Sequence, residues 1–117
     1  MAKDNKLGSL KMRCEYNQIS VPFETIMYIE SNKEYVTVHT PREKIVCNTP
    51  LRLLLYELPQ NLFIQTHRNY VVAISQIEAL EPSRITLINK EKVPLSKSFR
   101  KPLIDTLMEM GVIDRGF

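Results

Sequence analysis

Short runs rich in Val, Ile, Tyr and Thr recur along the chain, each ended after a few residues by Pro, Asn or a cluster of charges. No other property of the sequence restricts its fold so far, because runs this short suit small antiparallel strands and not long helices. Lys11 to Tyr16 and Ile19 to Val21 flank Asn17 and Gln18 as the arms of a hairpin. Ile26 to Glu30, Tyr35 to Thr40 and Ile45 to Asn48 follow, with turns near Asn32 and Pro41. Strand side chains alternate, so Val36 and Val38 are expected in the core and Tyr35, Thr37 and His39 on the opposite face. Later strands are expected at Leu62 to Gln65, Gln76 to Leu80, Ile85 to Ile88 and Val93 to Leu95.

Two segments depart from this rhythm. Thr49 before Pro50 reads as a helix cap with proline at the first helical position. Leu51, Leu54, Leu55 and Leu58 then recur at helical spacing until Pro59. The second helix ends at Gly111 and carries Leu103, Leu107 and Met110 on one stripe. Ser96 and Ser98 are both candidate caps, but Pro102 would then lie inside the helix, so a separate turn is expected over Lys97 to Lys101.

At 117 residues the chain has room for one domain with a real core. No apolar run reaches the length a bilayer requires, so no membrane contact is expected. The residues from Met1 to Leu10 carry Lys3 and Lys6 without an apolar stretch behind them. They read as a flexible lead-in or expression remnant (residues 1–10) ahead of a domain over 11–117, and a cytoplasmic setting follows by default. Cys14 and Cys47 lack metal-ligand spacing and sit in strand-like runs, where reduced thiols would pack as small hydrophobes.

Catalytic chemistry finds little footing. The three glycines, Gly8, Gly111 and Gly116, lie outside the expected strands, so no glycine-rich phosphate loop can be built and no cofactor is expected. His39, His67, the two cysteines and scattered carboxylates form no recognisable catalytic or metal-binding pattern. The expectation is no enzyme, no catalytic residue and no metal.

The polar groups that stand out are of a different kind. His67, Arg68, Asn69 and Tyr70 interrupt the apolar residues on either side, where a strand protein has no packing use for them. An arginine fork matches guanine N7 and O6, an asparagine amide matches adenine N6 and N7, and histidine or tyrosine can reach phosphate oxygens. The bland alternative is a turn histidine and an arginine paired with a surface carboxylate. Net charge is only +3, but from Arg84 to Pro102 the basic residues Arg84, Lys90, Lys92, Lys97, Arg100 and Lys101 face the single acid Glu91. Such a stretch suits phosphates or, equally, a solvated face.

The order of landmarks then carries a resemblance. Ile26-Met-Tyr-Ile-Glu-Ser31, Tyr35-Val-Thr-Val38, the leucine helix ending Glu57-Leu-Pro59, Phe63-Ile-Gln-Thr-His-Arg-Asn-Tyr-Val-Val72, Ile77-Glu78 and Val93-Pro-Leu-Ser96 together resemble the LytTR DNA-binding family over roughly Lys11 to Met110. The resemblance implies a mainly β fold: an elongated β-sandwich-like arrangement of small antiparallel sheets with one short internal helix and a short C-terminal helix. It also implies that loops, and no recognition helix, enter successive major grooves of double-stranded promoter DNA. By position, the first loop holds Asn32, Lys33, Glu34 and Tyr35, and the second His67, Arg68 and Asn69. The third holds Lys97 and Ser98, with Arg100 and Lys101 as phosphate anchors. The role of Glu34 stays open, since a carboxylate beside phosphates is repulsive unless it accepts from cytosine or orients Lys33.

Ala73 and Asn69 depart from the asparagine and serine common in such relatives, so base preference is expected to differ. The resemblance further implies a second copy on an adjacent repeat and an upstream receiver or sensor domain, the latter expected to lie outside this chain. The competing readings are a protein-interaction module whose basic face grips an acidic partner and, more remotely, a small hydrolase using His67.

Overall fold

In the computed structural model, which describes residues 7–113, the strand rhythm resolves into three antiparallel sheets. β1 (Ser9–Cys14) and β2 (Asn17–Pro22) form a hairpin of their own. Five strands make the central sheet in the order β5 (Lys44–Cys47), β4 (Val36–His39), β3 (Tyr28–Ser31), β7 (Tyr70–Ala73), β6 (Phe63–His67). The third sheet is the meander β8 (Ile77–Leu80), β9 (Arg84–Leu87), β10 (Lys92–Pro94). α1 (Leu51–Glu57) lies between β5 and β6, and α2 (Lys97–Glu109) closes the fold. The body is elongated, 47 × 35 × 25 Å, as the expected fold class requires.

The central sheet is covered on both faces, which explains most of its sequence. Ile29, Val36, Val38 and Val71 join Leu10, Met12, Leu51, Leu54 and Phe63 in one cluster. Tyr28 and Val72, on the other face, pack with Ile85, Leu87, Val93, Leu103 and Leu107 in a second. Double coverage removes the alternation of apolar and polar residues that marks a one-sided strand. Two consequences follow for the expected strands. Val71, Val72 and Ala73 are buried in succession and form β7, at the heart of the sheet, where no strand was expected. His39 lies, as expected, on the face opposite Val36 and Val38, but that face is interior as well: its ring stacks on Tyr28 at 4.0 Å and its Nε2 meets Glu30 Oε1 at 2.8 Å.

Local chemistry shifts several boundaries. The first hairpin turns at Glu15 and Tyr16, ahead of the expected Asn17 and Gln18, with Glu15 taking the left-handed φ of 57° that Asn or Gly more often supplies. β1 starts at Ser9 and Leu10 is fully buried, so Ser9 and Leu10 of the expected lead-in belong to a packed strand; residues 1–6 of that lead-in lie outside those described. Thr49 does not cap α1: its hydroxyl donates to the carbonyl of Arg13 at 3.1 Å, and Pro50 takes the cap position.

Nor is there a separate turn over Lys97 to Lys101. α2 runs unbroken from Lys97 with Pro102 inside it, and Ser96 is its cap residue. The missing proline N–H would have bonded the carbonyl of Ser98, in the first turn, where neighbouring groups are open to solvent and the loss is small. The helix ends as expected: Gly111, at φ 77°, donates to Met108 O while Val112 donates to Leu107 O, a Schellman ending that needs the left-handed residue. Met110 falls off the buried stripe and is 41% exposed.

The cysteines require a further correction. Cys14 and Cys47 are joined by a disulfide, with Cα atoms 4.8 Å apart, and no free cysteine remains. Nothing in the spacing marked them, because the pairing depends on the hairpin folding back beside the edge strand β5.

Candidate nucleic-acid interface

The three expected loops lie at one end of the central sheet, and the reason is topological. β3 and β7 run antiparallel with Glu30 opposite Tyr70, so the turn that leaves β3 and the turn that enters β7 are neighbours. Ser31 N–H donates to Asn69 O at 2.9 Å, which ties the first turn to the second. Ser96 N–H donates to Thr66 O, also at 2.9 Å, which ties the start of α2 to the end of β6. Thr66 is fully buried, so the third element is held from below.

Each turn has its own internal frame. Asn32 Oδ1 accepts from the N–H groups of Glu34 and Tyr35 at 3.1 and 2.9 Å, closing the turn and leaving only the amide NH2 of Asn32 for a partner. Lys33 and Glu34 project from the tip, and Tyr35 is 47% exposed at its base. In the second turn Arg68 and Asn69 span the gap between paired His67 and Tyr70. His67 Nδ1 accepts from Asn69 N–H at 3.1 Å, which places the proton of the neutral ring on Nε2 as a donor. The imidazole stands edge-on to Tyr70, centroids 5.5 Å apart. Tyr70 in turn belongs to a row with Tyr28 and His39 across the sheet.

The two phenols of that row are held in their neutral form. Burial, reinforced by Glu91, Glu30 and Tyr70, pushes the Tyr28 hydroxyl up to about 12, and burial together with Glu30 raises Tyr70 as well. Two neutral, stacked phenols make a stiff backing for His67. Tyr70 belongs to the polar cluster singled out in the sequence but not to the three expected loops, and Gln65, whose amide reaches Arg68 O at 3.4 Å, was not singled out. Both stand in the quoted run from Phe63 to Val72, and a two-residue turn there was the available clue.

The cations divide into two sets. In the 84–101 stretch most charges are already matched: Arg84 and Lys92 converge on Glu81, Lys90 meets Glu78, and Lys101 meets Asp105. Hydrogen bonds from Arg84, Thr86 and Lys92 hold the Glu81 carboxyl down to about 2. Arg100 Nη1 donates to the carbonyls of Glu81 and Pro82 at 2.8 and 3.4 Å, tying α2 to the turn between β8 and β9. Lys33, Arg68 and Lys97, by contrast, are exposed and have no carboxylate within ion-pair distance among the described residues. Ser98 is exposed beside Lys97 in the first turn of α2. The basic stretch of the sequence is therefore mostly internal wiring, while each of the three tied turns carries a cation with no carboxylate partner among the described residues.

Fold and site together define a binding domain that presents polar turns from one sheet end. The chain belongs to the LytTr DNA-binding domain family, whose model matches residues 16–108. Among curated relatives it is similar to the sensory transduction protein LytT of Bacillus anthracis, 34% identical over 103 residues covering 84% of this chain and 42% of that protein. LytT of Enterococcus faecalis is 25% identical over 89 residues, covering 72% of this chain and 37% of that protein. The chain thus spans less than half the length of these relatives. Among solved structures it is similar to one described as the LytTr DNA-binding domain of a methyl-accepting/DNA response regulator from Bacillus cereus. That match has a TM-score of 0.74 and 26% identity, covering 86% of this chain and 96% of the other. No helix among the described residues is long and apolar enough to cross a membrane.

Proposed function

We propose that this chain is the sequence-reading output domain of a cytoplasmic transcription regulator, acting by binding promoter DNA and not by catalysis. The observation that carries the reading is the placement of Lys33, Arg68 and Lys97, without ion-pair partners among the described residues, on elements tied by Ser31 to Asn69 and by Ser96 to Thr66. Arg68 and Lys97 reach guanine edges and Asn69 an adenine edge, while Asn32 offers its free amide NH2 to a base acceptor. His67 gives its Nε2–H to a phosphate or base acceptor, Ser98 hydrogen-bonds either, and Tyr35 flanks the first turn. Lys33 neutralises phosphate directly, and Arg68 and Lys97 each neutralise a phosphate at the groove edge in addition to the base they read. Arg100 and Lys101 contribute more weakly, since each already serves a partner within the chain.

The relatives are longer, and an upstream signal-receiving domain would bring two copies together on adjacent repeats, raising the effective concentration of the second. Selection of bound fragments from a random duplex library would reveal a repeated motif if this is right. Against the selected duplex, Arg68→Ala should lose roughly 1 to 3 kcal/mol and relax preference at one base pair. Uniform recovery of all sequences, with Arg68→Ala binding as wild type, would refute the proposal.

A further inference from the structure

The β1–β2 hairpin is bound to the same sheet end as the turns, yet no role has been given to it. Its tip is Glu15 and Tyr16, and Tyr16 is completely exposed. Cys14, at the tip, is bonded to Cys47, which stands opposite Val36 at the start of β4. Arg13 O accepts from Thr49, and residues 48–51 share a cleft with the first turn, Ser31 to Val36. The hairpin tip is therefore fixed beside the loop that carries Lys33.

Apart from Glu15 in the turn, the exposed residues of the hairpin strands are basic or neutral. Leu10 and Met12 point into the core, so Lys11 and Arg13 point out. Their cross-strand partners are Ser20 and Gln18, which are neutral. Exposed cations on paired strands gain from a carboxylate directly opposite, and here none is supplied. Neither Lys11 nor Arg13 has an ion-pair partner among the described residues. The β8–β10 sheet, with Glu78 and Glu81 beneath its lysines and arginine, shows the opposite arrangement.

We propose that the hairpin tip is a fourth DNA contact, gripping duplex phosphates just outside the groove entered by the first turn. Arg13 is the phosphate ligand, Lys11 adds charge behind it, and Tyr16 lies against the sugar-phosphate rim. The inference rests on the reading of the three turns as a DNA surface, and it makes the footprint longer than those turns alone require. Because phosphates carry no sequence information, the contact strengthens binding to all sequences alike.

The test is Arg13→Ala in the whole chain, titrated against the selected duplex from 50 to 200 mM salt, with Arg68→Ala in parallel. Losing one phosphate contact lowers the log-log salt slope by about 0.9, so the variant should lose about 3.5-fold less affinity across that range than wild type. Trimming the duplex on the side of the first turn should abolish the difference between wild type and Arg13→Ala, and Arg13→Lys should keep most of the binding. Arg13→Ala indistinguishable from wild type while Arg68→Ala is impaired would overturn the hairpin contact and leave the three-turn reading standing. If Arg68→Ala, Lys97→Ala and Arg13→Ala all bind as wild type, the underlying reading itself is lost.

Discussion

Replacing Lys97 by alanine should change the salt dependence of DNA binding, whereas replacing Lys92, only five residues away, should not. The two side chains differ in what they already touch: Lys92 Nζ lies 3.1 Å from Glu81 Oε2, and Lys97 has no carboxylate partner among the described residues. Each phosphate neutralised on duplex DNA contributes about 0.9 to the slope of log affinity against log salt. Lys33, Arg68 and Lys97 together therefore account for a slope of about 2.7, or roughly a 40-fold loss of affinity between 50 and 200 mM salt. Lys97→Ala should remove about a third of that contribution, and Lys33→Ala a similar share. Lys92→Ala and Lys90→Ala should leave the slope unchanged, because Glu81 and Glu78 already compensate those charges. Fluorescence anisotropy on a labelled duplex at five or six salt concentrations measures all four slopes. Equal flattening by Lys97→Ala and Lys92→Ala would refute the division of cations into free and paired sets, and with it the location of the interface.

Reducing the Cys14–Cys47 bond, or substituting Cys14→Ser, should destabilise the domain by about 3 to 4 kcal/mol, as expected for opening a loop of 33 residues; urea denaturation with and without reductant reads this directly. Glu81 gives an acid-side signature. Its folded carboxyl, at about 2, lies below the ordinary value of 4.5, so its stabilisation is present above pH 4.5 and lost as pH falls toward 2. Melting curves of wild type and Glu81→Gln should differ slightly at neutral pH, with wild type the more stable, and converge near pH 2. Tyr28 acts in the opposite sense: its hydroxyl is raised to about 12, so the neutral phenol stabilises the fold below pH 10 and that contribution fades between pH 10 and 12. Tyr28→Phe should remove the highest-pH tyrosinate step from an ultraviolet titration. Leu107→Ala, at a fully buried site of α2, should cost about 2 to 5 kcal/mol in denaturant unfolding, and a cost under 1 kcal/mol would mean that α2 is not anchored there.

Much of this protein was legible from residues alone. Strand-forming runs, the leucine helix and the glycine stop after Met110 depend on local preference and spacing, which a sequence displays without its fold. The polar cluster from His67 to Tyr70 was visible for the same reason, as polar groups with no packing use between apolar neighbours. Tertiary structure decided the rest, because those outcomes depend on which distant segments meet. Burial of the central sheet on both faces hid β7 and drew His39 inward against Tyr28. The fold-back of the first hairpin joined Cys14 to Cys47 across 33 positions. Charge was redistributed most of all. A linear reading gives Arg84, Lys90, Lys92 and Lys97 equal standing, but Coulombic pairing acts through space, and only the folded chain brings Glu78 and Glu81 under the first three and leaves Lys97 bare.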